Sequence, residues 1–124
     1  MNGIRYLADT NAIIYLLNGN DCMKPFLSEQ LYVSIITELE LLSFSDITEQ
    51  EEINIRSFLA ECCILSLDDS ISERTISVRK KYKMKLPDAI IASTAIENGL
   101  KLITADKGFE KIKELEIAIL DPAM

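Results

Sequence analysis

The sequence predicts an α/β domain in which helices cover both faces of a parallel sheet. Short apolar runs rich in β-branched and aromatic residues alternate with longer segments that begin with helix-capping residues. This alternation is typical of parallel strands joined by helical crossovers. The chain has 124 residues, of which 48% are hydrophobic, with no internal repeat or linker-like segment. Such a length and composition predict one globular domain over residues 1–124.

Five apolar runs are predicted as strands because each is short and bounded by turn or capping residues. The first run ends at Ala8, directly before the capping sequence Asp9-Thr10-Asn11. The last run carries the weakest strand pattern, so we expect a sheet of four to five strands. The predicted strands are residues 4–8, 31–34, 63–67, 101–104 and 117–120.

Capping residues divide the rest of the chain into helices. Thr48 and Glu51 form a capping-box pattern, and Pro87 suits the first position of a helix that Gly99 would end. A long helix is expected from the capping residues 68–70 through a basic cluster. The other predicted helices are residues 12–17, 37–44, 48–61, 88–98 and a short segment at 107–113.

Charge and missing residue types exclude several functions. A net charge of −7 argues against a passive nucleic-acid binder, which would present a basic face. The chain has no His and no Cys-x-x-Cys pair, which excludes the usual Cys/His zinc site and a His general base. Cys62 and Cys63 are predicted to be buried thiols because their neighbours are apolar. The apolar runs are too short to cross a bilayer, and the start of the chain lacks a signal-peptide pattern, so we expect a cytoplasmic protein with no membrane partner.

Four acidic residues are the candidate catalytic metal ligands. Asp9 and Asp106 each end a predicted strand, while Glu40 and Asp88 lie near the starts of predicted helices. Open α/β sheets bind ligands outside the carboxyl ends of their strands, where these acids are expected to converge. Crowded carboxylates repel one another unless a cation lies between them, and Mg²⁺ or Mn²⁺ takes oxygen ligands. The sequence therefore predicts a site for one or two divalent ions.

These acids also have structural interpretations. The two acids at strand ends could cap the helices that follow them, and Asp88 suits the positive end of a helix dipole. Thr37 and Glu40 could form a capping box. Glu38 competes with Glu40, because residues two positions apart on a helix do not face the same site. Hydrophobic periodicity does not decide between these two acids.

Four motifs resemble those of the PIN-domain ribonucleases and, within that family, the short toxins of the VapC type. Residues 9–11 are similar to its opening D-T-S/N, and residues 34–41 to its S-x-x-T-x-x-E-L. Residues 86–92 are similar to its x-x-D-A-x-I-A-A, and residues 102–109 to its L-x-T-x-D-x-x-F. Ala105 departs from the pattern, since Arg or Asn is common at that position. The four motifs follow the family's order, and the match runs through nearly the whole chain.

The resemblance implies a fold and an activity. The implied fold is a three-layer α/β/α sandwich with a central, mostly parallel sheet. The implied activity is cleavage of single-stranded or loop RNA that depends on Mg²⁺ or Mn²⁺, with Glu40 rather than Glu38 among the acids. Such chains commonly pair with an antitoxin protein whose tail covers the acidic pocket, and homodimers are usual.

Two sets of polar residues adjoin the acids in sequence. Thr104 alternates with Asp106 along a strand and should face the same way. We therefore assign hydrogen bonding around the acids to Thr10, Asn11, Thr37 and Thr104. The basic cluster is either a solvated helix end that suits the helix dipole or a contact for RNA phosphates. Its members are Arg79, Lys80, Lys81, Lys83 and Lys85.

Two other classes of protein compete with the nuclease. One is a PIN-like scaffold or regulatory module without catalysis, although such a module has no reason to keep all four acids. The other is a receiver-like signalling domain, which is also doubly wound and of similar length. A receiver would need an acidic pair at the end of its first strand, whereas this strand ends in a single acid.

Overall fold

A computed structural model describes residues 3–123, so residues 1, 2 and 124 of the predicted domain lie outside the described residues. Within that range, five strands form one sheet in which all neighbouring strands run parallel. This arrangement confirms the predicted α/β fold, at the upper end of the expected number of strands. The strands are β1 (Tyr6–Ala8), β2 (Leu31–Ser34), β3 (Cys63–Leu65), β4 (Lys101–Thr104) and β5 (Ile117–Ile119).

The strand order is β3-β2-β1-β4-β5, so the chain builds outwards from β1 and then returns to its other side. The reversal lies between β1 and β4, which pair directly with Ala8 opposite Ile103. The Asp9 backbone N donates to the Ile103 carbonyl oxygen over 3.1 Å and extends this pairing past the end of β1. Open α/β sheets bind ligands at such a reversal. The receiver-like alternative is wrong, because receivers have the order 2-1-3-4-5.

Helices cover both faces of this sheet, which confirms the three-layer sandwich. Leu7 of β1 lies in a buried cluster with residues of two helices, and Ala8 lies in a second cluster with residues of three others. Successive strand side chains point to opposite faces, so the two clusters lie on opposite sides of the sheet. The helices are α4 (Asp69–Tyr82) and α5 (Leu86–Glu97) on the Leu7 side, and α1 (Thr10–Leu17), α2 (Ile35–Leu42) and α3 (Glu49–Leu59) on the Ala8 side.

Helix α5 is the most deeply buried helix of the fold. All residues from 89 to 95 are buried, including the polar residues Ser93 and Thr94. A helix that is apolar nearly all round packs inside the protein. Asp88 precedes this segment directly, so the packing of α5 fixes the position of this acid.

Several predicted helix boundaries were wrong by a few residues. Helix α2 begins at Ile35 because Ser34 is its N-cap, with the Ser34 Oγ accepting from the Ile36 backbone N over 3.1 Å. Helix α5 begins at Leu86 and holds Pro87 inside its first turn. The capping box of α3 is present as predicted. The helix predicted at 107–113 is a 3₁₀ helix over Lys107–Lys111, and a second 3₁₀ helix covers Asp21–Phe26.

Two further expectations need correction. The strands predicted at 4–8 and 63–67 are shorter, because β1 begins at Tyr6 and β3 ends at Leu65. Cys63 is exposed and Cys62 is only partly buried, so the prediction that these two are buried thiols was wrong. No helix within residues 3–123 combines the length and apolar character that crossing a membrane requires.

Candidate active site

All four predicted acids line one cavity of about 390 Å³. Asp9 follows β1 and Asp106 follows β4, so both lie at the strand reversal in the centre of the sheet. Glu40 reaches the cavity from α2, and Asp88 reaches it from the first turn of α5. Glu38 does not line this cavity. Four separate elements thus present carboxylates to the same space.

Asp9 is the most buried of these acids, with 6% of its surface exposed. It caps α1, because its Oδ1 accepts from the Ala12 backbone N over 2.8 Å. Its Oδ2 accepts a short hydrogen bond from the Thr104 hydroxyl. Burial raises the pKa of Asp9, the negative charges of Asp88 and Asp106 raise it further, and the two hydrogen bonds oppose these effects.

Thr104 joins the two acids at the strand ends. Its hydroxyl donates to Asp9 and accepts from the Asp106 backbone N over 3.0 Å. The exposed Asp106 carboxylate accepts from the Gly108 backbone N over 2.8 Å and thereby caps the 3₁₀ helix that follows. A Cβ at position 108 would come within 3.0 Å of the Asp106 Oδ1, so glycine leaves room for this carboxylate. Both strand-end acids therefore have their side chains held in place by local hydrogen bonds.

Glu40 is held by a pair of threonines. The Thr10 hydroxyl donates to the Glu40 Oε1 over 2.6 Å, and its oxygen lies 3.1 Å from the Thr37 Oγ1. Thr37 is fully buried inside α2 and is not its cap, so the capping-box interpretation of Thr37 and Glu40 is wrong. Asn11 lines the cavity from an exposed position, and no hydrogen bond of its side chain is present among the described residues.

Asp88 lies half-buried at the start of α5. Burial raises its pKa, the negative charges of Asp106 and Glu40 raise it further, and the positive charge of Lys85 opposes them. The acids therefore repel one another across the cavity. This repulsion makes binding of a cation in the cavity favourable.

The donor atoms suit a hard divalent ion, although they form no ready-made cage. Carboxylate oxygens are the ligands that Mg²⁺ and Mn²⁺ prefer. Within residues 3–123, no three acidic, His or Cys side chains are grouped closely enough to form a metal site as they stand. The four acids fit a divalent ion by their donor atoms and their charge. They line one cavity, but they do not surround a single ion position.

In the described part of the chain, no residue of the basic cluster lines the cavity, and two of its members make structural contacts. Lys81 forms an ion pair with Glu114 at 3.5 Å, and the Arg79 Nε donates to the Met84 carbonyl oxygen over 3.3 Å. Lys80 and Lys83 are exposed. Lys85, the residue before α5, is the member whose charge acts on a cavity acid, Asp88.

The sequence alone did not identify several cavity residues, among them Ser43 and Phe44 at the end of α2. Their spacing from Glu40 could have indicated them, because residues three and four positions apart lie on the same side of a helix. Ile14, Ile91 and Phe109 supply apolar parts of the wall. The wall thus combines carboxylates with apolar surface.

The fold and the cavity define an open α/β domain with an acidic site at its strand reversal. The model of the PIN domain family matches residues 6–115, and the chain belongs to this family. The resemblance drawn from the four motifs, to PIN-domain chains of the VapC type, is confirmed. Comparison with curated proteins gives no match.

Several solved structures of VapBC or toxin–antitoxin complexes contain chains of the same fold. A chain of a toxin–antitoxin complex from Klebsiella pneumoniae is 33% identical, with a TM-score of 0.80 and coverage of 94% of this chain and 97% of that chain. VapBC-1 from nontypeable Haemophilus influenzae matches at 26% identity, with a TM-score of 0.79 and coverage of 94% and 98%. VapBC2 from Rickettsia felis, bound to a DNA fragment from their promoter, matches at 22% identity, with a TM-score of 0.81 and coverage of 95% and 100%.

Proposed function

We infer that this chain is an endoribonuclease that hydrolyses RNA phosphodiester bonds with Mg²⁺ or Mn²⁺ and acts as the toxin of a toxin–antitoxin pair. The single observation that carries this proposal is the convergence of four carboxylates from four elements on one cavity at the strand reversal. Membership of the PIN family supports it. The absence of His removes the usual general base, and a metal-assisted reaction does not need one.

The four acids have one proposed role in common. Asp9, Glu40, Asp88 and Asp106 would hold one or two Mg²⁺ or Mn²⁺ ions. A bound ion of this kind activates water for attack and offsets negative charge on the phosphoryl group. The products would carry a 5′-phosphate and a 3′-hydroxyl.

The threonines around the acids have a positioning role in this proposal. The Thr104 hydroxyl donates to Asp9 and accepts from the Asp106 backbone N, and it thereby orients both acids. The Thr10 hydroxyl orients Glu40. Hydrogen bonds of this kind fix how a carboxylate presents its remaining lone pairs. Thr37 would support Thr10, and Asn11 lies where it can contact substrate at the cavity wall.

The proposed partners follow from the similar structures. Complexes described as toxin–antitoxin assemblies contain chains of this fold, so we propose a cognate antitoxin protein for this chain. A homodimer and an RNA substrate complete the proposed set. The basic cluster, with Lys85 nearest to the cavity acids, is the proposed contact for RNA phosphates.

The proposal is tested by incubating the purified chain with a mixed pool of tRNA and structured RNA, with Mg²⁺, with Mn²⁺ and with EDTA. Asp9→Asn should remove cleavage, because it deletes a ligand charge while keeping the shape and the helix cap. Asp68→Asn is the matched control, since Asp68 caps α4 in the same way outside the cavity. Equal cleavage by all three proteins, or products with a 2′,3′-cyclic phosphate, would contradict the proposed site and reaction.

One alternative function has a specific observation in its favour. The acids do not form a ready-made metal cage within residues 3–123, as expected for a PIN-like scaffold without catalysis. A scaffold would neither bind Mn²⁺ nor cleave RNA. Metal-dependent cleavage that Asp9→Asn removes would exclude it.

A further inference from the structure

Phe44 is an exposed aromatic ring at the mouth of the acidic cavity. It comes directly after Ser43, the residue that ends α2, and lies about one helical turn beyond Glu40. Its exposed fraction is 53%. The ring is therefore available to a ligand on the side where the carboxylates face the cavity.

Comparison with the other apolar side chains makes this ring unusual. Phe109 also lines the cavity, but it is 1% exposed and belongs to the core. Among the large exposed apolar side chains of residues 3–123, Phe44 alone lines the acidic cavity. Packing in the core thus accounts for Phe109, whereas about half of Phe44 stays exposed at the cavity.

The cavity continues past Phe44 into a second, more apolar groove of about 510 Å³. Phe44 and Ile14 line both spaces, and Ile47 and Leu17 line the groove beyond them. A strand of nucleic acid with one phosphate at the carboxylates would extend across this shared wall. The nucleotide next to that phosphate would then lie beside the Phe44 ring.

We propose that Phe44 stacks on the unpaired nucleobase next to the scissile phosphate and so positions the single-stranded RNA that the resemblance to the PIN family implies as substrate. This inference rests on the proposed ribonuclease function. Stacking on an aromatic ring holds any base through its flat face, whatever the sequence. A base inside a duplex is already stacked and paired, so its faces are not available to Phe44.

The negative charge of the chain makes an uncharged contact such as stacking on Phe44 important for RNA binding. The net charge is −7, and the cavity itself is lined by acids, so phosphate attraction alone gives little affinity. A bound divalent ion would attract one phosphate at the centre of the site. The ring then supplies binding to the adjoining nucleotide without any charge.

The test measures binding of short single-stranded RNA oligomers that carry 2-aminopurine, whose fluorescence is quenched by stacking. All proteins keep the four acids, and Ca²⁺ replaces Mg²⁺ so that the oligomers are bound without cleavage, which gel electrophoresis of the recovered RNA checks. Phe44→Ala and Phe44→Leu should weaken binding about five- to a hundredfold and remove the quenching, as expected for one lost base stack. Phe44→Trp should keep both. Leu27→Ala removes another exposed apolar side chain, which lies outside the cavity, and should change neither.

The outcomes separate this inference from the proposed function. If the original chain cleaves RNA but Phe44→Leu binds and quenches like its parent, the stacking role is overturned and the nuclease stands. If the chain neither binds nor cleaves RNA, both fall. If Phe44→Ala leaves RNA binding intact and weakens binding of a copurified protein partner, Phe44 is a protein contact and the inference is wrong. Unchanged thermal melting of the Phe44 variants controls for misfolding.

Discussion

Asp9 and Asp68 occupy the same local position in two regions of the sheet. Each follows a strand in the sequence within three residues, and each caps the next helix. Each accepts a hydrogen bond of 2.8 Å from the backbone N three residues later. Their surroundings differ. Asp68 is exposed beyond β3 at the edge of the sheet, whereas Asp9 is buried beside β4 in a cavity that three other acids share.

This comparison shows that the strand order, rather than the local motif, creates the candidate site. The chain passes from β3 back to β4 beside β1, which brings residues 9 and 104 into contact across 95 positions of sequence. No equivalent strand lies beyond β3 among the described residues. A capping acid at the edge therefore stays a capping acid, while the same residue at the reversal becomes part of a carboxylate cluster.

After the loss of Asp9 itself, the largest expected effect comes from the hydroxyl that links the two strand-end acids. Thr104→Val keeps the shape and removes both hydrogen bonds, the one to Asp9 and the one from the Asp106 backbone N. We expect RNA cleavage to fall about 10- to 100-fold, which is the usual cost of losing a contact that orients a metal ligand. The measurement is the cleavage rate at saturating Mg²⁺.

Thr75→Val is the matched control for this change. Thr75 is also buried, and its hydroxyl donates to the Ile71 carbonyl oxygen within α4, away from the cavity. Both variants lose a buried hydrogen bond, so both lose some stability. Equal loss of cleavage in the two variants would assign the effect of Thr104 to stability alone.

A second prediction compares two acids in first helical turns, Asp88 of α5 and Asp69 of α4. Burial and neighbouring acids raise the pKa of Asp88, so its charge destabilises the metal-free fold at neutral pH. Asp88→Asn should therefore raise the melting temperature by a few degrees. Asp69→Asn should lower it slightly, because an exposed acid there only gains from the helix dipole.

The pH dependence of the melting temperature checks separately that the charge of Asp88 destabilises the fold. A carboxyl with a raised folded-state pKa contributes stability at low pH that is lost as the pH rises through that pKa. The difference in melting temperature between Asp88→Asn and the original chain should therefore shrink as the pH falls from neutral, when Asp88 takes up its proton. A difference that grows on acidification would contradict the assigned origin.

The smallest expected effect concerns the connection that leads from α4 to Asp88. Lys83 ends α4 in the left-handed conformation, with φ of 55°, which costs free energy for a residue with a Cβ. Lys83→Gly should raise the free energy of unfolding by about 0.5–1 kcal/mol. Lys80→Gly, inside α4, should lower it by about 1 kcal/mol. Chemical denaturation of both variants measures the two effects.

The sequence predicted the sheet and the acids because their signals are local. Asp9 and Asp106 follow apolar runs directly, and the carboxyl ends of parallel strands all lie at the same edge of a sheet. The order of strands cannot be read from such runs. In the sequence, Asp9 and Asp68 therefore look alike, since each follows a strand and precedes a helix. The resemblance to the PIN family is what distinguishes Asp9 as a candidate ligand.

Other features depend on distant contacts and escaped prediction. Ser34 and Thr37 are both good caps by composition, and burial of Thr37 against Thr10 decides that Ser34 begins α2. Glu114 neutralises Lys81 from 33 residues away, so part of the basic cluster is structural. The position of Phe44 at the cavity depends on where α2 ends, which the predicted boundary at residue 44 did not reveal.

The most direct test of the central claim is calorimetric titration of Mn²⁺ into the purified chain and into Asp9→Asn and Asp68→Asn. The two variants remove the same charge from the same capping position in the two regions. We expect the original chain and Asp68→Asn to bind Mn²⁺ alike, and Asp9→Asn to lose most of the affinity. Equal binding by all three proteins, or no binding by the original chain, would contradict a metal site at the strand reversal.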